Sequence, residues 1–138
     1  MKNSTFQLIF SGIATVLSFL FGGIDLALEI LLTVITVDYL TGIAKAWMNN
    51  CLDSRIGIEG IVKKIGYLAL IVLVSCIDKL LGNTGAFRTL IIYIIVANEG
   101  ISITENLAAM DIFIPKALIK KLNQLKDAGE NDENITIK

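Results

Sequence analysis

A long apolar run near the middle of the chain constrains the fold more than any other feature. Thirteen uncharged residues, Ile65 to Ile77, lie between a Lys63-Lys64 pair and an Asp78-Lys79 pair. As an α-helix this run covers roughly 20 Å, which is short of the ~30 Å hydrocarbon core of a bilayer. Because lysine stems can lie along apolar surface while their ammonium groups reach the headgroups, the whole stretch 61–81 is long enough to span. We therefore expect a transmembrane helix here, rather than a buried helix in a soluble core.

The composition extends this expectation to the whole chain. Apolar residues make up 54% of the sequence, above the ~45–50% of soluble domains, and the mean hydropathy is +0.71. A chain of 138 residues is too small to hide all its apolar segments in one soluble core. Backbone polar groups must be paired inside a bilayer, and the apolar runs do not alternate as barrel strands do. The predicted fold class is therefore all-α, an integral membrane protein with three to four transmembrane helices and a C-terminal amphipathic helix.

The residue types exclude the commonest catalytic and metal sites. The chain has no histidine, and its two cysteines, Cys51 and Cys76, fall in a polar loop and in the apolar run. The usual Ser-His and Cys-His nucleophile pairs are therefore missing, and thiols at two levels of a membrane are expected to stay reduced. We expect no enzyme activity, no metal and no cofactor. The net charge of −1 does not indicate a nucleic-acid partner.

Three further segments are apolar, the second of them only marginally. They are residues 6–21, which follow Lys2, residues 26–46 and residues 88–110. The first resembles the apolar part of a signal peptide, but no small-x-small cleavage site follows it, so we expect it to stay in the mature chain. Its sixteen residues make about 24 Å of helix, which leaves both a spanning and an interfacial placement open.

The second segment carries charges that the membrane must accommodate. Asp38, Thr41, Gly42 and Lys45 fall on one side of a helix. One central acid and one flanking base cost ~2.5–3.5 kcal/mol each and largely cancel the insertion free energy of the apolar residues, about −4 to −5 kcal/mol. This side should face other helices or water. It would do so either through an interhelical contact, from Asp38 to Lys45 or to a neighbour, or as part of a pore lining.

The last apolar segment has the sharpest polar stripe in the chain. Its members, at i, i+1, i+4, i+7 and i+8, are Asn98, Glu99, Ser102, Glu105 and Asn106. Acids inside a membrane usually face a bundle interior or a watery cavity, so the two glutamates are candidate functional residues, with Arg88 as a candidate partner for Glu99. The alternative is that the helix has left the membrane by Glu105 and the stripe is solvated.

The central helix also presents a mixed face that could pack against the second segment. This face consists of Lys64, Tyr67, Ile71, Ser75 and Asp78. Ser75 and Asp78 are its candidates for polar contacts between helices or for a pore lining.

Charge bias predicts the topology. The glycine-rich stretch 48–61 is expected to be a loop, and the bases around it, Lys45, Arg55, Lys63 and Lys64, favour a cytoplasmic position. The turn at 82–85 would then be external.

A basic amphipathic helix should follow Pro115. Its apolar arc is flanked or opposed by four bases, Lys116, Lys120, Lys121 and Lys126. Each lysine near anionic lipid contributes ~1 kcal/mol, so this helix is expected on the cytoplasmic leaflet, with the C-terminus inside. The predicted division is a transmembrane domain at 1–112, this helix at 113–127 and a disordered polar tail at 128–138.

Four blocks, in their order and spacing, carry a resemblance to a known family. They are 38-DYLTGIAKAW-47, 54-SRIGIEGIVKKIGYLALIVLV-74, 97-ANEGISITENL-107 and 115-PKALIKKLNQLKD-127. Together they resemble the toxin-secretion and phage-lysis holin family, to which the clostridial toxin-export holins belong. The resemblance covers about residues 25–127 and leaves the N-terminal apolar segment outside.

The resemblance implies a multi-pass protein of the bacterial cytoplasmic membrane. Such a protein accumulates harmlessly and then homo-oligomerises in the lipid bilayer into lesions that release an endolysin or a toxin lacking a signal peptide. The physical pattern agrees, because marginally apolar helices with polar stripes are stable when those stripes face one another. The competing interpretation is a transporter subunit or a membrane scaffold, although the sequence has no convincing internal repeat of the kind that transporters often show.

Overall fold

The computed structural model describes residues 2–50, 54–82 and 85–133 of the chain. Within these ranges it contains five α-helices and no β-strand, which confirms the predicted all-α class. The helices are α1 (Lys2–Phe21), α2 (Leu26–Met48), α3 (Ser54–Leu80), α4 (Ala86–Ala108) and α5 (Lys116–Glu133).

Four of these helices are long and apolar enough to cross a bilayer. The apolar segments are Ser4–Phe21, Leu26–Met48, Gly57–Leu80 and Ala86–Ala108. The first covers about 27 Å, close to the ~30 Å of a hydrocarbon core. The predicted three to four spans correspond to four candidate helices in the structure. Of the described helices, only α5 is too polar to be a candidate.

Two helix boundaries differ from the sequence expectation. The expected loop at 48–61 is mostly helical, because α3 already begins at Ser54. Residues 51–53, with Cys51, lie outside the described residues, as do 83–84 in the expected turn at 82–85. The helix continues through Gly57 and Gly60 because a helical glycine costs only about 1 kcal/mol relative to alanine.

The last helix is also longer than expected. α5 runs to Glu133, six residues beyond the predicted end at 127, and 134–138 lie outside the described residues. Once its apolar part has formed a helix, each further residue adds a hydrogen bond without a new nucleation step. The polar start of the expected tail is thus part of the helix.

Helix α4 is the centre of the bundle. It packs against α2, α3 and α5, and the buried core is made by α2, α3 and α4. The core consists of Leu28, Leu31, Ile71, Val74, Ile91, Ile92 and Ile95. Among the described helices, α1 packs only against α3, and its large apolar side chains point outward, where lipid would lie.

Polar groups at the helix ends connect α1 to the bundle. The turn from α1 to α2 uses Gly22 and Gly23 at φ of 75° and 113°, which only glycine adopts easily. Asp25 then caps α2 by accepting the Leu28 N–H at 3.0 Å. The N-cap residue of α4 is Gly85, which has no side chain, and Asp78 of α3 instead accepts the Arg88 N–H at 2.8 Å.

Candidate functional site

Three membrane helices bring their charged side chains together in one network. Lys64 of α3 donates to Asp38 Oδ2 of α2 at 2.7 Å and to Glu99 Oε2 of α4 at 2.5 Å. Side-chain exposure is 12% for Lys64 and for Asp38 and only 2% for Glu99. The lysine therefore joins two carboxylates on different helices, and the bundle itself shields all three groups.

An amide extends this network toward the next turn of α2. Asn106 donates through Nδ2 to Asp38 Oδ1 at 3.2 Å and, at 3.4 Å, to Thr41 Oγ1. Its Oδ1 accepts from Lys45 Nζ at 2.9 Å. We call the six residues the central network: Asp38, Thr41, Lys45, Lys64, Glu99 and Asn106.

The acids of the central network lie well inside the spans, whereas Lys45 and Asn106 lie within the last turn of their helices. Asp38 is ten residues, about 15 Å, from the end of α2, and Glu99 is nine residues, about 14 Å, from the end of α4. Two acids and two lysines cancel formally, so one copy of the chain carries no net charge at this level. Such a network is stable only while it is complete, because a charge whose partner is removed stays buried and uncompensated.

The polar stripe of α4 divides between two environments. Glu99 and Asn106 point into the bundle, whereas Glu105 is exposed. Asn98 and Ser102 are half-buried and make no side-chain hydrogen bond within the described residues. The structure thus brings Glu99 and Asn106 together with Asp38, Thr41 and Lys45, and leaves the other three stripe residues outside the network.

These contacts decide between partners that the sequence interpretation left open. Arg88 is not the partner of Glu99, because eleven residues of α4, about 16 Å, separate them. Asp38 does not pair with Lys45; it contacts a neighbouring helix through Lys64. Lys64 is on the mixed face predicted for the central helix but is not among the predicted site residues. The sequence feature that could identify Lys64 is its position directly before an uncharged run, because two other apolar segments each carry an acid that needs a partner.

A second polar group forms where the α1–α2 turn meets α3 and α4. Arg88 donates to Asp25 through Nη1 at 2.7 Å and Nη2 at 3.2 Å, and Nη2 also reaches Gly23 O at 3.1 Å. Two of the predicted residues, Ser75 and Asp78, lie here rather than in the central network, and both are buried. We call Asp25, Ser75, Asp78 and Arg88 the turn cluster.

The end of α1 has one further polar contact beside the turn cluster. Lys79 donates to Phe19 O and lies 4.0 Å from the centroid of the Phe19 ring. At the turn itself, the hydrogen bonds from Arg88 lower the pKa of Asp25 below its ordinary value of 3.8. Asp25 is thus charged at neutral pH.

The comparison with protein families decides the identity of the chain. A model of the bacteriophage holin family matches residues 15–127. The chain belongs to the bacteriophage holin family. The match begins within α1, about ten residues before the four sequence blocks suggest, and it includes every residue of the central network and of the turn cluster.

Relatives in several bacteria and in a phage extend the family match. An uncharacterized 14.9 kDa protein in the nagH 3'region of Clostridium perfringens is 43% identical over 116 residues, 83% of this chain and 88% of the relative. YqxH of Bacillus subtilis is 38% identical over 118 residues, 84% and 82% of the two chains. A probable holin of Bacillus phage phi105 is 34% identical over 118 residues, 84% of each chain. No solved structure matches.

The basic helix of this holin-family chain packs against α4. Leu122 lies over Gly100, where an added Cβ would come within 2.7 Å of Leu122 Cδ2. Lys116, Lys120 and Lys121 are exposed, and Lys126 is half-buried. The basic surface of α5 therefore stays accessible while its leucine face contacts the bundle.

The chemistry available to this holin-family chain is charge pairing. In the part of the chain that the structure describes, no three His, Cys, Asp or Glu side chains come together as a metal site requires. The acids of both polar groups instead contact lysine, arginine, amide or backbone N–H donors. Family membership likewise favours a role that is not enzymatic.

Proposed function

We propose that this chain acts as a holin of the bacterial cytoplasmic membrane. Copies accumulate without harm, assemble with one another and open lesions that release an endolysin or a toxin lacking a signal peptide. Membership of the bacteriophage holin family and the 34% identity to a probable holin support this proposal.

The observation that carries the proposal is the closed central network. Lys64, Asp38 and Glu99 satisfy one another inside a single copy, so a dispersed subunit presents few charges to lipid. This property suits a protein that must accumulate in a working membrane, because exposed charges at that depth are costly.

For a lesion to open, the same charged side chains must move to new partners or to water. Lysine and carboxylate groups that leave their partners must reach water or the groups of another subunit, since an unpaired buried charge is strongly destabilising. Neighbouring subunits around a water-filled lesion would offer both. In this proposal Asp38, Lys64 and Glu99 line the lesion or pair between subunits after assembly.

The charge distribution supports one orientation. Four spans put the N-terminus, the connection from α2 to α3 and α5 on the same side of the membrane. The bases at this end, Lys2, Lys45, Arg55, Lys63 and the lysines of α5, favour the cytoplasm. The turn cluster would then lie at the outer end of the bundle.

Controlled expression tests the proposed function. The chain is induced in a bacterium with or without a cytoplasmic endolysin that has no signal peptide, while growth and membrane potential are followed. We expect a period of normal growth, then abrupt depolarisation, and cell lysis only when both proteins are present.

Other outcomes would contradict the proposal. A steady ion leak from the first minutes would indicate an ordinary channel or a transporter subunit. Accumulation in the membrane with an unchanged potential would favour a scaffold.

A further inference from the structure

The turn cluster contains three buried polar atoms that have no hydrogen-bond partner among the described residues. They are Ser75 Oγ, Asp78 Oδ1 and Arg88 Nε. The three residues are 1–3% exposed, and buried polar groups are rarely left unpaired without a reason. The arrangement seen here thus leaves an acceptor, a donor and a hydroxyl unused in one place.

Arg88 lies between two carboxylates and directs its guanidinium to only one of them. The bidentate partner is Asp25, whose side chain is 49% exposed, whereas that of Arg88 is 3% exposed. Asp78 is the more buried acid, yet it receives only the backbone N–H of Arg88. That bond holds the Asp78 carboxylate beside the base of the arginine side chain, which makes Asp78 the competing partner for the guanidinium.

Gly22 of the turn lies against Ser75 and the Arg88 side chain. A Cβ built on Gly22 would lie 2.4 Å from Ser75 Oγ, 3.1 Å from Arg88 Cδ and 3.4 Å from Arg88 Nε. The turn therefore covers the unpaired atoms closely while it is seated. The guanidinium can fold onto Asp78 only when the turn has moved away.

We propose that Arg88 is a two-position switch that controls the seating of the α1–α2 turn. In the seated state Arg88 binds Asp25 and Gly23 O, and the turn covers Ser75. In the released state Arg88 binds Asp78 within the α3–α4 pair, and the turn leaves the end of the bundle. The atoms unpaired in the first state are the ones that the second state can satisfy.

The switch would set the position of α1 relative to the bundle. Among the described helices α1 packs only against α3, and the turn is its covalent connection to α2. Because Lys79 also contacts Phe19, release in this proposal changes the angle and mobility of the turn rather than freeing α1 altogether. This device is independent of the proposed function, since it concerns pairing within one subunit.

Distance measurements between two spin labels test the switch in the full-length chain. One label is placed on Cys76, which is exposed, and the other on Ile24→Cys in the turn, with Cys51→Ser to leave only these two thiols. Electron paramagnetic resonance in lipid vesicles then gives the populations of a short, seated distance and a longer, released one.

Neutralising each acid separately should have opposite consequences. Asp25→Asn weakens the seated pair and should raise the ratio of released to seated turns by about fivefold or more. Asp78→Asn weakens the released pair but keeps an oxygen that can accept the Arg88 N–H, so the turn should stay seated at least as often as in the wild type. The double variant should be more seated than Asp25→Asn alone, because the competing acceptor is also weakened.

Several results would overturn the proposal. These are unchanged populations in Asp25→Asn, equal release of the turn by both single variants, and greater release by the double variant than by Asp25→Asn. The last two would show that the acids simply stabilise the same state. Helix content measured by circular dichroism identifies any variant that fails to fold, and the comparison of Asp25→Asn with the double variant does not depend on the Asp78→Asn single variant.

Discussion

At the scale of single residues, the two glutamates of α4 show how the direction of a side chain around the helix axis decides its environment. Glu99 and Asn106 are seven residues apart and point in directions that differ by about 20°, whereas Glu99 and Glu105 differ by about 120°. Only the first direction faces α2 and α3. Glu99 is consequently 1% exposed and bound to Lys64, and Glu105 is exposed.

Neutralising Glu99 should therefore have a larger effect than neutralising Glu105. Glu99→Gln keeps the shape but removes one charge of the buried pair with Lys64, so we expect a loss of about 1–3 kcal/mol in the free energy of unfolding. In the lysis assay the time of depolarisation should shift markedly. Both are measured at matched membrane levels, by denaturation in detergent micelles and by a potential-sensitive dye.

Glu105→Gln is the matched control on the same helix. Because Glu105 is exposed and lies outside the central network, its replacement should leave both stability and timing close to wild type. Equal behaviour of the two variants would show that the pairing of Glu99 with Lys64 has no energetic importance.

Glycine is also informative at this scale, because two glycines of the first helix and its turn have different constraints. Gly22 has a φ of 75° and would place a Cβ 2.4 Å from Ser75 Oγ, whereas Gly12 is helical with no atom within 4 Å. Gly22→Ala should thus cost about 1–3 kcal/mol, since it combines left-handed backbone strain with a clash. Gly12→Ala should be neutral or stabilising by up to about 1 kcal/mol. Thermal unfolding in micelles compares the two, and a similar effect at both positions would contradict the close seating of the turn.

At the scale of whole helices, the docking of α5 depends on a contact with the second half of α4. Leu122 packs where Gly100 leaves room, and the lysines of α5 remain on the accessible side. The same apolar arc could instead enter the membrane surface, so α4 and lipid compete for one face of α5. In the structure, Leu122 of this arc contacts α4 at Gly100.

Removing the leucine should release α5 from α4. Leu122→Ser deletes a half-buried apolar contact, worth about 1–2 kcal/mol at a partly exposed position. We expect faster amide hydrogen exchange throughout α5, with exchange in α2 and α3 unchanged. Leu118→Ser, at a side chain that is 46% exposed, should have little effect and serves as the control. If both variants accelerated exchange equally, α5 would not depend on the Leu122 contact.

At the scale of the whole molecule, four candidate spans imply that both ends of the chain lie on one side. In the proposed topology that side is the cytoplasm, as charge bias favours. An alkaline phosphatase fused after Lys138 should therefore be inactive in cells, and a fusion within the turn at 82–85 should be active. Activity of the C-terminal fusion in the periplasm would reverse the proposed topology.

The sequence by itself determined the fold class, the positions of the apolar helices and the family. These depend on hydropathy and on local order along the chain, both of which can be measured residue by residue without knowing any partner. The polar residues of α2 and α4 could be selected in the same way, since a charge within an apolar segment is visible wherever it packs.

Only the tertiary structure decided which charges meet. Lys64 rather than Arg88 contacts Glu99, and Arg88 contacts Asp25 across sixty-three residues of sequence. Such pairings depend on the rotation of each helix about its axis and on its shift relative to its neighbours. Helical periodicity places residues on a face, but it does not say which helix that face meets. Packing of the apolar core sets those rotations, and the charged side chains take their partners from the result.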